Sequence, residues 1–330
     1  MAVYKHGVYV TEQPTGVVAP VQSTAGLQVV IGTAPINRAS DPYHCTNVPI
    51  LATSLKEATA ALGYDDDYEK YTLCQSMGAC FKVLGVSPVV YINVLDPAKH
   101  KKTMPETTVQ VNSGVATVAV KDILLDKLVV KSASTALTAG TDYTAAFDNE
   151  GYVTIAIIPG GKAASATSLT VSGTQIDPTA VTADDVVGSV NAQGVETGME
   201  VIRQIYPALN IDPRHPAGSR LVGERHGCRW LAGQDHRYQR CFRAVCIVDV
   251  DSSTTGAKMY TGVKQQKEKQ AITSANCYPV WLYAKVGDVV YAGSAMAAAL
   301  TVATDAANGD IPYVSPSNKT LAISAACLKD

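Results

Sequence analysis

Several things are scarce in this chain of 330 residues, and each scarcity removes a class of function. No apolar run approaches the ~18 residues that a membrane-spanning helix needs. The first residues, Met1-Ala2-Val3-Tyr4-Lys5-His6, lack the apolar centre of a secretory leader. Neither sign of charge is in excess: 27 Lys and Arg stand against 29 Asp and Glu, a net charge of −2, so nothing in the global balance draws the protein to nucleic acid or an anionic membrane. Eight cysteines occur without a single CxxC pair, which reads as buried thiols in a reducing compartment. Only three phenylalanines are present, while Ala, Val, Thr and Gly dominate. These absences together point to a soluble protein made in the cytoplasm.

What is present is organised around Tyr278 to Lys319. The run Pro279-Val280-Trp281-Leu282-Tyr283-Ala284 has the length and β-rich composition of a buried strand. A Gly287-Asp288 turn follows, then a helix expected over 292–307 built from Ala, Gly, Ser and Thr. Such small side chains bury little area of their own, so this helix is stable only where another element approaches closely. Asn308-Gly309 stops it, and Pro312 and Pro316 stiffen the exit.

From the beginning, residues 1–26 hold the breakers Pro14, Gly16, Pro20 and Gly26 around one β-prone patch, Val8-Tyr9-Val10. Two readings stand for it: a loosely packed terminus, or an arm that adds a strand to another sheet. Residues 27–32 read as the first core strand. The GTAP that ends it is not GxGxxG, so no dinucleotide cofactor is expected. Ser54 caps a helix over 55–62, with Glu57 placed for a capping box. Asp65-Asp66-Asp67 lacks the spacing of a calcium loop and reads as a solvated turn. An amphipathic helix over 70–84 presents Leu73, Met77, Cys80 and Phe81, and 88–94 is a second buried strand. Strand, helices and strand in this order predict an α/β fold whose mixed, mostly parallel sheet is joined by crossover helices.

Composition changes between about 103 and 187, where Cys, Trp and Arg are all absent. Short alternating runs at 115–120, 127–130, 152–158 and 168–171 are separated by turns at Gly140, Asp148 to Gly151 and Gly160-Gly161. Even spacing of this kind predicts an inserted all-β domain, sandwich or barrel-like, over 101–188. A helix over 195–206 is expected to end at Pro207.

The next block, 211–243, carries seven of the nine arginines, three of the six histidines and no lysine. His226, Cys228, His236 and Cys241 could ligate a metal, although their spacing matches no zinc pattern. Arginines interleaved with Trp230 and Tyr238 could form a basic patch. A solvated loop of unusual composition is the third reading. Residues 242–250 are a third buried strand, with Asp249 and Asp251 at its C-terminal end, where α/β active sites lie. No histidine and no recognised nucleophile motif is paired with these two carboxylates in sequence, so a turn role is favoured over a hydrolase that would use them. Residues 258–272, with Lys264 to Lys269 exposed, read as a polar helix.

Four stretches, HGVYVTEQPTG (6–16), VVIGTAP (29–35), FRAVCIVDVD (242–251) and NGDIPYVSPSNK (308–319), resemble in order and spacing the sheath proteins of contractile phage tails and tailocins. The resemblance implies a structural protein and no enzyme, with no cofactor, metal, nucleic acid or membrane partner. Its partners would be further copies of itself in a helical homo-polymer, an inner tail tube protein, and baseplate and tail terminator proteins. It would be assembled in a bacterial host cytoplasm into a virion tail and would contract to drive the tube through a target envelope. A sheath-like component of a contractile secretion system is the neighbouring alternative.

The resemblance also implies a domain plan. Residues 1–26 would be an N-terminal arm in which Val8, Tyr9 and Val10 add a strand to a neighbouring subunit. Residues 27–100 and 189–330 would form a discontinuous α/β core, with the 101–188 insert on the outside. The family's further C-terminal domain is expected to be absent, making this a truncated form. In 211–243 the family would show an apolar strand and an Ala-rich helix. The arginine-rich, lysine-free block fits neither and has the composition of a locally shifted reading frame, a hypothesis that resequencing the gene to an intact frame would contradict.

Overall fold

The computed structural model describes residues 27–211, 219–222, 244–273, 277–311 and 313–328. The first part of the chain gives β1 (Gln28–Gly32), β2 (Pro49–Ala52), α1 (Leu55–Leu62), α2 (Thr72–Met77) and β3 (Val89–Asn93). Then follow β4 (Lys101–Gln110), β5 (Val115–Val118), β6 (Val129–Ser132), β7 (Thr135–Ala136), β8 (Tyr143–Phe147), β9 (Val153–Ile157) and β10 (Ser168–Ile176). The remainder comprises α3 (Ala183–Val187), α4 (Ile205–Leu209), β11 (Ser219–Val222), β12 (Ala244–Asp249), α5 (Val263–Lys269), β13 (Cys277–Val280), β14 (Tyr283–Val286), β15 (Val289–Tyr291), α6 (Gly293–Ala307) and β16 (Ala325–Cys327). Helices and strands are mixed as an α/β chain requires.

A six-stranded sheet, ordered β13-β12-β11-β1-β3-β2, lies at the centre. Its pairings are parallel except for β2, which runs antiparallel along β3 at one edge. The strands are near-continuous apolar runs because both faces are covered. Val29 and Ile31 of β1, with Val90 and Ile92 of β3, face one cluster that includes Met199, Val201, Ile202 and Ile205. Val30, Val89 and Tyr91 face the other, where α1, α2 and α6 supply Leu62, Leu73, Met77, Ala298 and Ala299. Gly32 is required by closeness rather than by a ligand: a Cβ there would sit 2.2 Å from Thr72 Oγ1 on α2.

Residues 101–176 make two further sheets, β4-β10-β6-β7 and β5-β9-β8, around an apolar cluster of their own with Met104, Val118, Val153, Ile155, Leu169 and Val171 fully buried. A third small sheet, β15-β14-β16, brings Ala325–Cys327 back to pair with Tyr283–Lys285.

Several expectations need correcting. The apolar run 279–284 is two strands rather than one: β13 in the large sheet and β14 in the small one, parted at Leu282, whose φ is +86°. The helix expected over 70–84 changes character midway, α-helical at Thr72–Met77 and π-helical at Gly78–Leu84. The expected helix 195–206 is a 3-10 turn, Gly198–Gln204, followed by α4. Pro207 lies inside α4 and does not end it, since the N–H it lacks falls in the first turn. The solvated-loop reading of 211–243 fails at Ser219–Val222, a strand in which Arg220 to Val222 pair in parallel with Gln28 to Val30 on one side and Ser219 to Val222 with Ala244 to Ile247 on the other. Nor are all cysteines thiols: Cys45, Cys74, Cys80 and Cys246 are free and buried, whereas Cys277 is disulfide-bonded.

Candidate functional site

The helix α6 and the turn before it show how the C-terminal part is held. Asp249, at the end of β12, reaches the start of α6: Oδ1 accepts the Ser294 N–H at 2.8 Å and Oδ2 the Ser294 hydroxyl at 2.5 Å. The carboxylate thus satisfies an N–H that a helix start leaves unpaired, and its negative charge matches the positive end of the helix dipole. Asp251 organises the turn after β12, with Oδ1 accepting from the Ser253 N–H at 3.1 Å and its carbonyl from the Ala257 N–H at 2.8 Å. Gln270 ties both positions, accepting from the Asp251 N–H at 2.9 Å. Among the contacts described, both carboxylates are engaged by backbone and hydroxyl donors, as capping and turn closure require. Replacing Asp249 by Ala leaves a buried helix start and the Ser294 hydroxyl without this acceptor. The expected cost is ~2 kcal/mol in urea unfolding, with Asp249→Asn recovering part of it.

A second polar cluster lies where the 101–176 sheets meet the α/β elements. Asp65 Oδ2 stands 3.4 Å from Arg38 Nη1 and 3.5 Å from Lys121 Nζ. Arg38 also donates to the carbonyls of Tyr64 at 2.5 Å and Asn149 at 3.3 Å. Beside it the Tyr71 hydroxyl donates to Asp122 Oδ1 at 2.5 Å, Asn37 Nδ2 donates to the Ile123 carbonyl at 3.3 Å, and the Tyr43 hydroxyl donates to Asp126 Oδ2 at 2.8 Å. The solvated-turn reading of 65–67 therefore holds for Asp66, whose side chain is 80% exposed, and fails for Asp65, at 9%. No local sequence signal marks Asp65, because its partners are 27 and 56 residues away.

Burial pushes the Asp122 carboxyl above its ordinary value of 3.8, against the hydrogen bond from Tyr71 and the charge of Lys70. A raised folded-state value means that the folded protein holds this proton more tightly than the unfolded chain. The site's contribution to stability is therefore greatest in acid and falls as pH rises from about 3.8 through the folded value. Asp122→Asn keeps an acceptor for Tyr71 and tolerates the φ of +68°. It should be at least as stable as the parent at neutral pH, with that pH dependence gone. Asp122→Ala strands the Tyr71 hydroxyl and strains the backbone, costing ~2–4 kcal/mol. Thermal melts of both variants between acid and neutral pH check this.

The strand-adding arm residues Val8, Tyr9 and Val10 lie outside the described residues. So do His226, Cys228, His236 and Cys241 of the metal reading, and Trp230 and Tyr238 of the basic-patch reading. Among the described residues no group of three or more His, Cys, Asp or Glu is placed to hold a metal, and no helix is long and apolar enough to cross a membrane. Some large apolar side chains stay outside the cores: Met259, Tyr260 and Tyr313 are 67%, 76% and 71% exposed.

Comparison with known proteins gives one informative match. Over 209 residues, 62% of this chain and 40% of the relative, the sequence is 33% identical to a tail sheath protein of Burkholderia phage BcepMu. The chain thus spans about two-fifths of the length of the curated relative it matches. No family profile matches, and no solved structure matches. The resemblance to phage tail sheath proteins rests on this match as well as on the four motifs.

Proposed function

We propose that this chain, related over 209 residues to a phage tail sheath protein, is a structural subunit of a contractile tail sheath. It polymerises helically around an inner tail tube, and baseplate and terminator proteins bound the polymer at its ends. Contraction to a shorter, wider form drives the tube through the target envelope, powered by better-packed contacts between subunits and not by hydrolysis. In this reading residues 1–26 are an arm that adds a strand through Val8, Tyr9 and Val10 to a neighbour's sheet. Residues 101–188 are an insert on the outside of the cylinder, and the virion tail is the site of action, after synthesis in the host cytoplasm.

The match to a tail sheath protein is the observation that carries this reading. The engagement of Asp249 and Asp251 in capping and turn closure agrees with a structural role. A sheath-like part of a contractile secretion system is the neighbouring reading, and a relative from a phage favours the tail. Sedimentation of the purified chain with its tube partner tests the proposal: a fast-moving polymer is expected, and two separate slow species would refute it.

A further inference from the structure

The chain leaves the α/β elements after β3 and returns after β10, and the two connections run side by side. The Asp177 N–H donates to the His100 carbonyl at 2.8 Å. Basic residues of the outgoing connection face acidic ones of the returning connection: Lys99 and His100 meet Asp185, and Lys102 stands 3.8 Å from Asp177. His100 is buried, takes the Asp96 N–H on Nδ1 at 3.0 Å and presents Nε2 to Asp185 Oδ2 at 3.4 Å. Thr182 adds an N–H and a hydroxyl at 2.8 and 2.6 Å. Burial draws the Asp185 carboxyl upward, yet the hydrogen bonds from Lys99 and Thr182 prevail and hold it well below the usual range. The other attachment is the cluster around Asp65, reached from residues 121–126 and 149. Between the two, Leu124 and Ile176 join the apolar core of the α/β elements.

We propose that two charged clusters, one at the stem where Asp185 staples the returning connection to Lys99 and His100 of the outgoing one, and one at the flank where Lys121 reaches Asp65 and Arg38 reaches the Asn149 carbonyl, together hold the 101–176 sheets to the α/β elements as one rigid unit. Two connections alone would act as a hinge about which the sheets could swing. A second attachment away from the stem removes that freedom, and because each clamp is polar it fixes orientation where the apolar contact fixes only proximity. The inference concerns this chain's own mechanics and does not depend on assembly into a sheath. Any movement of the α/β elements is then carried directly into the 101–176 sheets.

Nitroxide labels on non-canonical residues at Lys56 and Thr135, both exposed, report the distance between the two parts with the native cysteines untouched. The full-length chain should give one narrow distance distribution. Asp65→Asn keeps the oxygen that accepts the Asp67 N–H, and Asp185→Asn retains an acceptor for Thr182, so both variants fold. Each alone should leave the distribution narrow, and the two together should broaden it roughly twofold. The same cycle from the lysine side, Lys121→Met with Lys99→Met, should repeat the pattern. A broad distribution in the parent or in either single variant, or a narrow one in both double variants, would overturn the clamp.

Discussion

Substituting Gly293 with alanine should be strongly destabilising, although it adds a single methyl group. A Cβ at this position would lie 2.3 Å from the Leu282 carbonyl oxygen and 2.7 Å from Val280 Cγ1. The first of these neighbours is backbone, held between β13 and β14 at the point where the chain passes from one sheet to another. It has no free side chain to turn aside. Relief requires either α6 to withdraw, opening the packing of Ala295, Met296, Ala298 and Ala299, or the strand junction to shift. Withdrawal also pulls Ser294 from Asp249. The expected loss is ~3 kcal/mol or more, a fall in melting temperature of roughly 4 °C or more for a chain of this length. Gly287→Ala is the control. Its Cβ meets nothing within 4 Å, so only the φ of +61° is penalised, at ~1 kcal/mol. Equal melting temperatures for the two variants would show that the close approach of α6 is not what holds this region.

The other large effect concerns assembly and leaves the fold alone. If Val8, Tyr9 and Val10 add a strand to a neighbouring subunit, Val8→Asp with Val10→Asp puts two charges on one face of that strand, where alternate side chains point the same way. Burying either charge between subunits without a partner costs several kcal/mol, and the penalty recurs at every subunit of a polymer. The double variant should therefore melt like the parent and form no polymer at any practical concentration. Tyr9→Phe, which retains the apolar area, should polymerise. Normal polymer from the aspartate variant would show that Val8 to Val10 add no strand to a neighbour.

Much of the central sheet was legible because buried parallel strands are near-continuous apolar runs, and 28–32, 89–93 and 244–249 all read that way. The helix 55–62 was legible from its cap: Ser54 Oγ accepts the Glu57 N–H at 3.3 Å. The Glu57 carboxylate, expected to close a box on Ser54, reaches one residue further to the Thr53 N–H at 2.8 Å. Elsewhere local pattern failed for identifiable reasons. The strand Lys101–Gln110 is polar and contains Pro105, yet it is an edge strand paired only with β10, and the pairing is irregular where Pro105 falls, between Val171 and Gly173. An edge with a bulge tolerates the proline that a central strand would reject. The break at Leu282 has no glycine to announce it, and Pro279 was the one hint that the run could not be uniform. Asp249 was expected in a turn, and its bond to the helix start at Ser294, 45 residues on, was not legible. The Asp65 and Asp185 clusters were invisible for the same reason. Their partners are chosen by the tertiary fold.

Negative-stain electron microscopy of the purified protein, alone and with its tube partner, decides whether this chain builds a sheath. Long striated cylinders, formed around the tube and absent from the aspartate arm variant, are the predicted result. A monodisperse particle under both conditions, from protein that melts cooperatively, would contradict it.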